Sequence, residues 1–110
     1  MKVRELCEKM NMTPVSTGDM DREIKDCYIC DMLSYVMAKA KEGDAWITVQ
    51  TNINVVAVSS LADCACVIVP EDIVVEEPTV KKAQMQEVTI LRASQTAFEI
   101  ACVIGQALKG

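Results

Sequence analysis

The sequence predicts an α/β fold of three layers, with a mainly parallel sheet of about five short strands and helices on both faces. Residues 44–70 carry this prediction, because they have the pattern of a strand, a polar turn, an apolar helix and a second strand. Two strands joined through a helix run parallel in the same sheet. The strands at 45–50 and 64–69 are also short apolar runs, which is typical of strands covered on both faces.

The other segments alternate between helical and extended patterns in the same way. Apolar residues at three- and four-residue spacing indicate helices, and short apolar runs between turn residues indicate strands. These patterns predict, in chain order, a helix at 2–10, strands at 13–17 and 27–30, a helix at 32–40, the crossover helix at 53–62, a short helix at 78–85, a strand at 88–91 and a last helix at 96–108.

Three residues have the chemistry expected at helix ends. Asp31 precedes the helix at 32–40, and its carboxylate can accept hydrogen bonds from the free N–H groups of a first turn. Gly43 follows that helix, and glycine is common just after a last helical turn. Thr96, with Glu99 three residues later, matches a capping box. We therefore expect Asp31 and Thr96 to begin helices and Gly43 to end one.

The segment 53–62 fits two interpretations. Its β-branched residues suit a strand as well as a helix. Val55 and Val58 have helical spacing, however, and a strand here would make Thr51 and Asn52 a hairpin turn between antiparallel partners. We therefore interpret the segment as the crossover helix.

The last helix is apolar on nearly all sides. A helix of this kind is either covered within its own fold or part of a contact between subunits. Together with the apolar helix at 53–62, it favours a homodimer.

Length, charge and composition exclude several classes of protein. A chain of 110 residues forms one domain, here residues 1–110. Its net charge of −5, dispersed Lys and Arg and 4% aromatic content argue against nucleic acid and anionic membranes as partners. The amino terminus has no apolar signal core, and the apolar runs are too short to span a bilayer. We expect a cytoplasmic protein.

The chain has no histidine and six cysteines. The missing histidine removes the commonest general base and the commonest zinc ligand. Along a strand, Cys27 and Cys30 would face opposite sides, whereas Cys64 and Cys66 would share a face. Buried thiols that pack as small apolar groups explain both pairs, and a metal or redox role is the alternative. The acidic segment 71–77 has two similar interpretations: its carboxylates bind a divalent cation, or the segment is a solvated loop. We predict no metal and no cofactor.

Residues 28–37, 43–48 and 52–58 resemble the DRTGG domain family, and the resemblance extends over residues 15–108. That domain is similar to the amino-terminal domain of HPr kinase/phosphorylase and also occurs between the regulatory CBS domains of some clostridial pyrophosphatases. The resemblance implies an HPr kinase N-terminal-domain-like α/β fold, commonly dimeric, with a regulatory or nucleotide-sensing association. The Asp-Arg-Thr-Gly-Gly string that names the family is absent from this sequence. No phosphate-binding loop of the G-x-x-x-x-G-K-[ST] type is present either, so kinase activity is not implied.

The candidate ligand site follows from the predicted topology. Ligands of parallel α/β sheets bind beyond the carboxyl ends of the strands, where helix N-termini point. Small hydroxyl, amide and carboxylate groups that could hold an uncharged or phosphate-bearing molecule follow the predicted strands. These candidate ligand-binding residues are Thr17, Gly18, Asp19, Asp31, Thr51, Asn52, Asn54, Ser94 and Thr96. Helix capping alone explains Asp31, Asn52 and Thr96 equally well.

These observations favour a non-catalytic regulatory or sensing domain that binds a small ligand, with an adenine nucleotide as the candidate. The alternative is an interaction subunit that associates with a separate metabolic enzyme and has no ligand of its own. Catalysis ranks third, because the sequence offers neither a phosphate loop nor a nucleophile paired with a base. No catalytic residue is predicted.

Overall fold

Helices and strands alternate through most of the computed structural model, which describes residues 1–110. No helix in it combines the length and the apolar character needed to cross a membrane. The elements are, in chain order, α1 (Val3–Lys9), β1 (Thr13–Ser16), β2 (Asp26–Ile29), α2 (Leu33–Lys39), β3 (Asp44–Ile47), α3 (Asn54–Ala62), β4 (Cys66–Val69), α4 (Glu77–Met85), β5 (Ile90–Arg92) and α5 (Ala97–Lys109).

The five strands form one sheet in the order β1-β5-β4-β3-β2. Strands β2, β3, β4 and β5 run parallel to one another, whereas β1 is antiparallel to β5. The prediction of a five-stranded α/β sheet is therefore confirmed, but the sheet is mixed. The connection between β1 and β2 contains no crossover helix, so nothing forces β1 to run parallel with the other strands.

Strands β3 and β4 and the helix α3 between them form the predicted crossover. Ala45 pairs with Cys66 and Ile47 pairs with Ile68 in parallel register. The helix ends at Ala62, and the following residue, Asp63, has a left-handed conformation with φ 57°. The interpretation of 53–62 as a helix is confirmed, and so is the parallel direction that it requires.

Side chains on the two faces of the sheet form two separate apolar clusters. One contains Ile47, Ile68 and Leu91 together with residues of α1 and α5. The other contains Trp46 and Val67 together with residues of α2, α3 and α4. Alternation along the strands sends neighbouring residues to opposite faces, so both faces need helices to cover them. The predicted three layers are present.

The only tryptophan of the chain sits in the second cluster. Trp46 is fully buried, and its indole Nε1 donates a 2.8 Å hydrogen bond to the carbonyl oxygen of Cys30. This bond satisfies the polar end of a buried aromatic side chain, as the packing role of Trp46 requires.

One of the three predicted helix-end residues keeps its role. Thr96 and Glu99 form the capping box at the start of α5, as predicted. Asp31 does not cap α2, because Met32 occupies the N-cap position and offers no side-chain oxygen. Gly43 does not end α2 either, since the chain is already extended at Ala40. Gly43 instead turns the chain into β3 with φ 87°.

Gly18 brings the end of β1 into direct contact with the start of β5. Its N–H donates a 2.8 Å hydrogen bond to Thr89 Oγ1. A Cβ atom at this position would lie 2.0 Å from the carbonyl oxygen of Glu87. Only glycine fits between these two segments without moving the backbone.

We predict that Gly18→Ala destabilises the fold by about 2 kcal/mol or more, because the added methyl group meets backbone rather than a flexible side chain. Gly105→Ala is the matched control, since a Cβ atom there meets nothing within 4 Å in the interior of α5. The control should stabilise by up to about 1 kcal/mol through helix propensity. Urea unfolding of both variants measures the difference in the free energy of unfolding. Equal stabilities would show that the backbone at Glu87 does not lie against Gly18.

Candidate functional site

The ends of the four parallel strands define the carboxyl edge of the sheet, and their beginnings define the amino edge. Asp31 follows β2, Thr51 follows β3 and Ser94 follows β5, so these candidates lie along the carboxyl edge. The segments after β4 and β5 are joined there, because the N–H of Glu71 donates to the carbonyl oxygen of Gln95 at 2.9 Å. The carboxyl edge therefore gathers six of the predicted residues: Asp31, Thr51, Asn52, Asn54, Ser94 and Thr96.

Thr17, Gly18 and Asp19 lie at the opposite edge. They follow β1, which runs antiparallel to β5 and therefore ends beside the start of β5. The hydroxyl of Ser16 marks this place, because it donates a 2.7 Å hydrogen bond to the carbonyl oxygen of Val88. The prediction that all nine candidates lie at one edge is wrong for these three residues.

The carboxylate of Asp31 joins the end of β2 to the segment after β3. Asp31 Oδ1 accepts hydrogen bonds from the hydroxyl of Thr48 and from the N–H of Val49, both at 2.9 Å. The side chain of Gln50 donates to the carbonyl oxygen of Asp31 at 3.1 Å. Thr48 is buried, so Asp31 supplies the acceptor that its hydroxyl needs.

Three more candidates have side chains that already make hydrogen bonds within the chain. Asn52 accepts from the N–H of Asn54 and donates to Gln50 Oε1, both at 3.0 Å. Thr51 donates to Glu76 Oε2 at 3.3 Å, and Thr96 accepts from Glu99 in the capping box. These interactions fix the turns before α3, α4 and α5.

Asn54 and Ser94 differ from the other candidates at the carboxyl edge. Both are exposed, and neither side chain makes a hydrogen bond within the chain. They are the predicted residues whose polar side chains are free to contact a small molecule. The sequence could not separate them from the engaged residues, because the difference depends on where neighbouring turns lie.

Arg92, which the sequence analysis missed, and Gln95 are further polar residues of the carboxyl edge. Arg92 ends β5, and its guanidinium makes neither a hydrogen bond nor an ion pair within the chain. The Nε of Arg92 is buried and has no acceptor, and Gln95 Oε1 is buried and has no donor. Gln95 Nε2, in contrast, donates to the carbonyl oxygen of Met10 at 2.8 Å. Buried groups without partners are uncommon and costly, so each one requires an explanation. The available signal was a charged residue directly after the predicted strand 88–91.

A polar cavity of about 190 Å³ lies at the amino edge. Its walls come from the end of α3, the segment after α4 and the connection between β1 and β2. Arg22 crosses this region and donates 2.8 Å hydrogen bonds to Asp63 Oδ1 and to the carbonyl oxygen of Asp63. The Arg22 guanidinium holds the pKa of Asp63 below its usual value.

Burial governs the chemistry of the cysteine pairs. It raises the pKa values of Cys27 and Cys64 to about 11, and it raises that of Cys66 further. Cys27 and Cys30 pack on opposite faces as predicted, but Cys64 and Cys66 also do so, which contradicts the predicted shared face. Cys64 precedes β4, so strand alternation does not extend to it. No three His, Cys, Asp or Glu side chains are arranged to hold a metal ion.

The fold is similar to a solved regulatory region. That structure contains the CBS and DRTGG domains of the regulatory region of a Clostridium perfringens pyrophosphatase, complexed with the activator diadenosine tetraphosphate. The TM-score is 0.74 at 12% identity, over 97% of this chain and 47% of that chain. No protein-family model and no curated protein matches the sequence. The likeness shows an α/β fold of the kind found in that region, and this chain spans about half of its length.

We predict that Asp31→Ala costs about 1–2 kcal/mol, because it leaves the buried Thr48 hydroxyl and the Val49 N–H without their acceptor. Amide hydrogen exchange should accelerate at Val49 and stay unchanged in the first turn of α2. Glu8→Ala, an exposed carboxylate in α1, is the control and should leave both regions unchanged. Faster exchange in α2 alone would instead indicate that Asp31 acts as a helix cap.

Proposed function

We propose that this chain is a non-catalytic regulatory domain that binds an adenine nucleotide at the carboxyl edge of the sheet and acts as a homodimer in the cytoplasm. The observation that carries the proposal is Arg92, a cation at this edge with no partner in the chain. An unpaired guanidinium with a buried nitrogen is suited to an anionic ligand.

The surroundings of Arg92 supply further phosphate-binding groups. Ser94 lies two residues beyond it and has a free hydroxyl. At the start of α5, the N–H groups of Ala97 and Phe98 have no partner in the chain, whereas that of Glu99 is bonded to Thr96 Oγ1. The positive end of the helix dipole favours an anion there. A guanidinium that forms two parallel hydrogen bonds to phosphate oxygens would complete the set.

The choice of an adenine nucleotide rests on the structural neighbour. The pyrophosphatase region with this fold is complexed with diadenosine tetraphosphate, which is described as its activator. This supports a regulatory role in which nucleotide binding, rather than chemistry, is the event that matters. The raised pKa values of Cys27 and Cys64 keep these two thiols protonated near neutral pH, so neither of them supports a catalytic alternative.

The surface of α5 supports the homodimer. Phe98 is 75% exposed, and Cys102 lies exposed one turn further along the same face. The same surface also supports the alternative, in which the chain is an interaction subunit of a separate metabolic enzyme.

We predict that AMP, ATP or diadenosine tetraphosphate raises the melting temperature of the wild-type protein by several degrees, because saturating ligand adds roughly 2–3 kcal/mol of stability at 100 times the dissociation constant. Arg92→Gln should lose most of this shift. Lys81→Gln, which removes the same charge from an exposed position on α4, should keep it. If no nucleotide shifts the wild-type protein at millimolar concentration, or if both variants respond alike, the proposed site is wrong.

We predict that the wild-type chain is a dimer by light scattering, and that Phe98→Gln weakens its association by roughly tenfold or more through loss of an apolar anchor. Leu61→Gln is the control, because Leu61 is 73% exposed at the end of α3 and lies away from α5. A wild-type monomer at submillimolar concentration would exclude the homodimer and leave the interaction subunit as the explanation of the α5 surface.

A further inference from the structure

We propose that the cavity at the amino edge binds a small organic ammonium ion. This site lies at the opposite end of the strands from Arg92, so it is independent of the nucleotide proposal. Its volume of about 190 Å³ is far larger than a single water molecule needs and suits a short alkylammonium group.

The backbone around the cavity favours a positive charge. Helix α3 ends at Ala62, and helix α4 ends at Met85. The cavity is lined by residues at or just after these two helix ends, among them Ser60, Asp63 and Gln86. The carboxyl end of a helix carries a partial negative charge, and two such ends here face the same space.

The charged side chains add to this preference. Three carboxylates line the cavity, from Asp19, Asp63 and Glu87, against the single guanidinium of Arg22. Arg22 is already engaged by Asp63 and by Glu42 at 3.4 Å. The carboxylate of Glu87 makes no hydrogen bond and no ion pair within the chain, so it remains available to a ligand.

Two buried hydroxyl groups in the wall also point to a ligand. Ser59 is 2% exposed and Thr89 is 4% exposed, and both line the cavity. Thr89 Oγ1 accepts from the N–H of Gly18, and the Ser59 hydroxyl lies beside the Cys64 thiol. Neither hydroxyl donates a hydrogen bond to an oxygen or nitrogen of the chain. A hydroxyl oxygen has two lone pairs, so both oxygens can still accept a hydrogen bond from an ammonium group, which brings donors and no acceptor.

An ammonium ion fits this lining better than a metal ion does. A divalent cation needs several oxygen atoms at 2.0–2.6 Å in fixed geometry, and no group of side chains here is arranged that way. An ammonium group has three donors on a flexible chain and accepts a looser ring of carboxylates, carbonyls and hydroxyls. The group could belong to a free amine or to a lysine side chain of another protein.

The first experiment follows backbone amide chemical shifts of the full chain by NMR. The probes are 1,4-diaminobutane, the amide of Nα-acetyl-lysine and magnesium chloride. We expect an amine to shift the amides of Gly18, Ser60 and Thr89 with saturation. Binding of both amines identifies any accessible ammonium group, whereas binding of the lysine derivative alone identifies a protein side chain. Binding of magnesium alone, or no saturable shift at millimolar concentration, would overturn the proposal.

Charge-matched variants locate the binding. Glu87→Gln should weaken amine binding by roughly tenfold, the equivalent of 1.4 kcal/mol, whereas Glu77→Gln, which removes the same charge at the start of α4, should not. Equal loss in both would show attraction to the net charge of the protein rather than a site.

A tethered amine provides the second test. Ser60 is exposed at the cavity, so Ser60→Lys places an ammonium group on a flexible chain at the proposed position. This variant should melt at a higher temperature than the wild type and lose affinity for free amines. Ala38→Lys, which places the same charge at an exposed position in the last turn of α2, is the control and should keep its affinity for free amines. Unchanged amine affinity in Ser60→Lys would place the binding elsewhere.

Discussion

The burial of β3 and β4 on both faces is the constraint on which this structure depends. Trp46, Ile47, Val67 and Ile68 are all fully buried, so their backbone groups must pair within the sheet and their side chains must be apolar. Because β3 and β4 are neighbouring parallel strands, the chain between them must cross over one face of the sheet. It does so as helix α3, which covers that face. Polar chemistry is thereby confined to the two edges where strands begin and end.

The same constraint explains which features could be predicted from the sequence. The crossover was predictable because its apolar runs and its helix length are local patterns. The capping box at Thr96 was also predictable, since both partners lie within four residues of each other. The direction of β1 was not, because a short strand followed by an irregular connection carries no signal for either direction.

The candidate site shows where sequence reasoning ends. Asp31 has the right chemistry for a helix cap, but its carboxylate turns to Thr48 and Val49, which the fold brings close from another strand. The lack of a partner for Arg92 depends in the same way on residues distant in sequence. Residue types and strand ends could therefore be predicted, whereas the assignment of donors to acceptors required the folded backbone.

The parallel strands also give the domain an electrostatic direction. At the carboxyl edge the strands end, α5 begins and Arg92 has no counterion. At the amino edge α3 and α4 end beside three carboxylates. The helix dipoles therefore present opposite signs at the two edges, and the unpaired side chains of Arg92 and Glu87 match those signs. An anionic and a cationic ligand could thus occupy one small domain at the same time without competing for space.

The hydrogen bond from the Trp46 indole to the carbonyl oxygen of Cys30 has a practical consequence. It anchors the only indole of the chain to the residue directly before Asp31, at the rim of the carboxyl edge. The protein thus contains a natural fluorophore fixed beside that rim, whose emission can report rearrangement of the turns there without any attached dye.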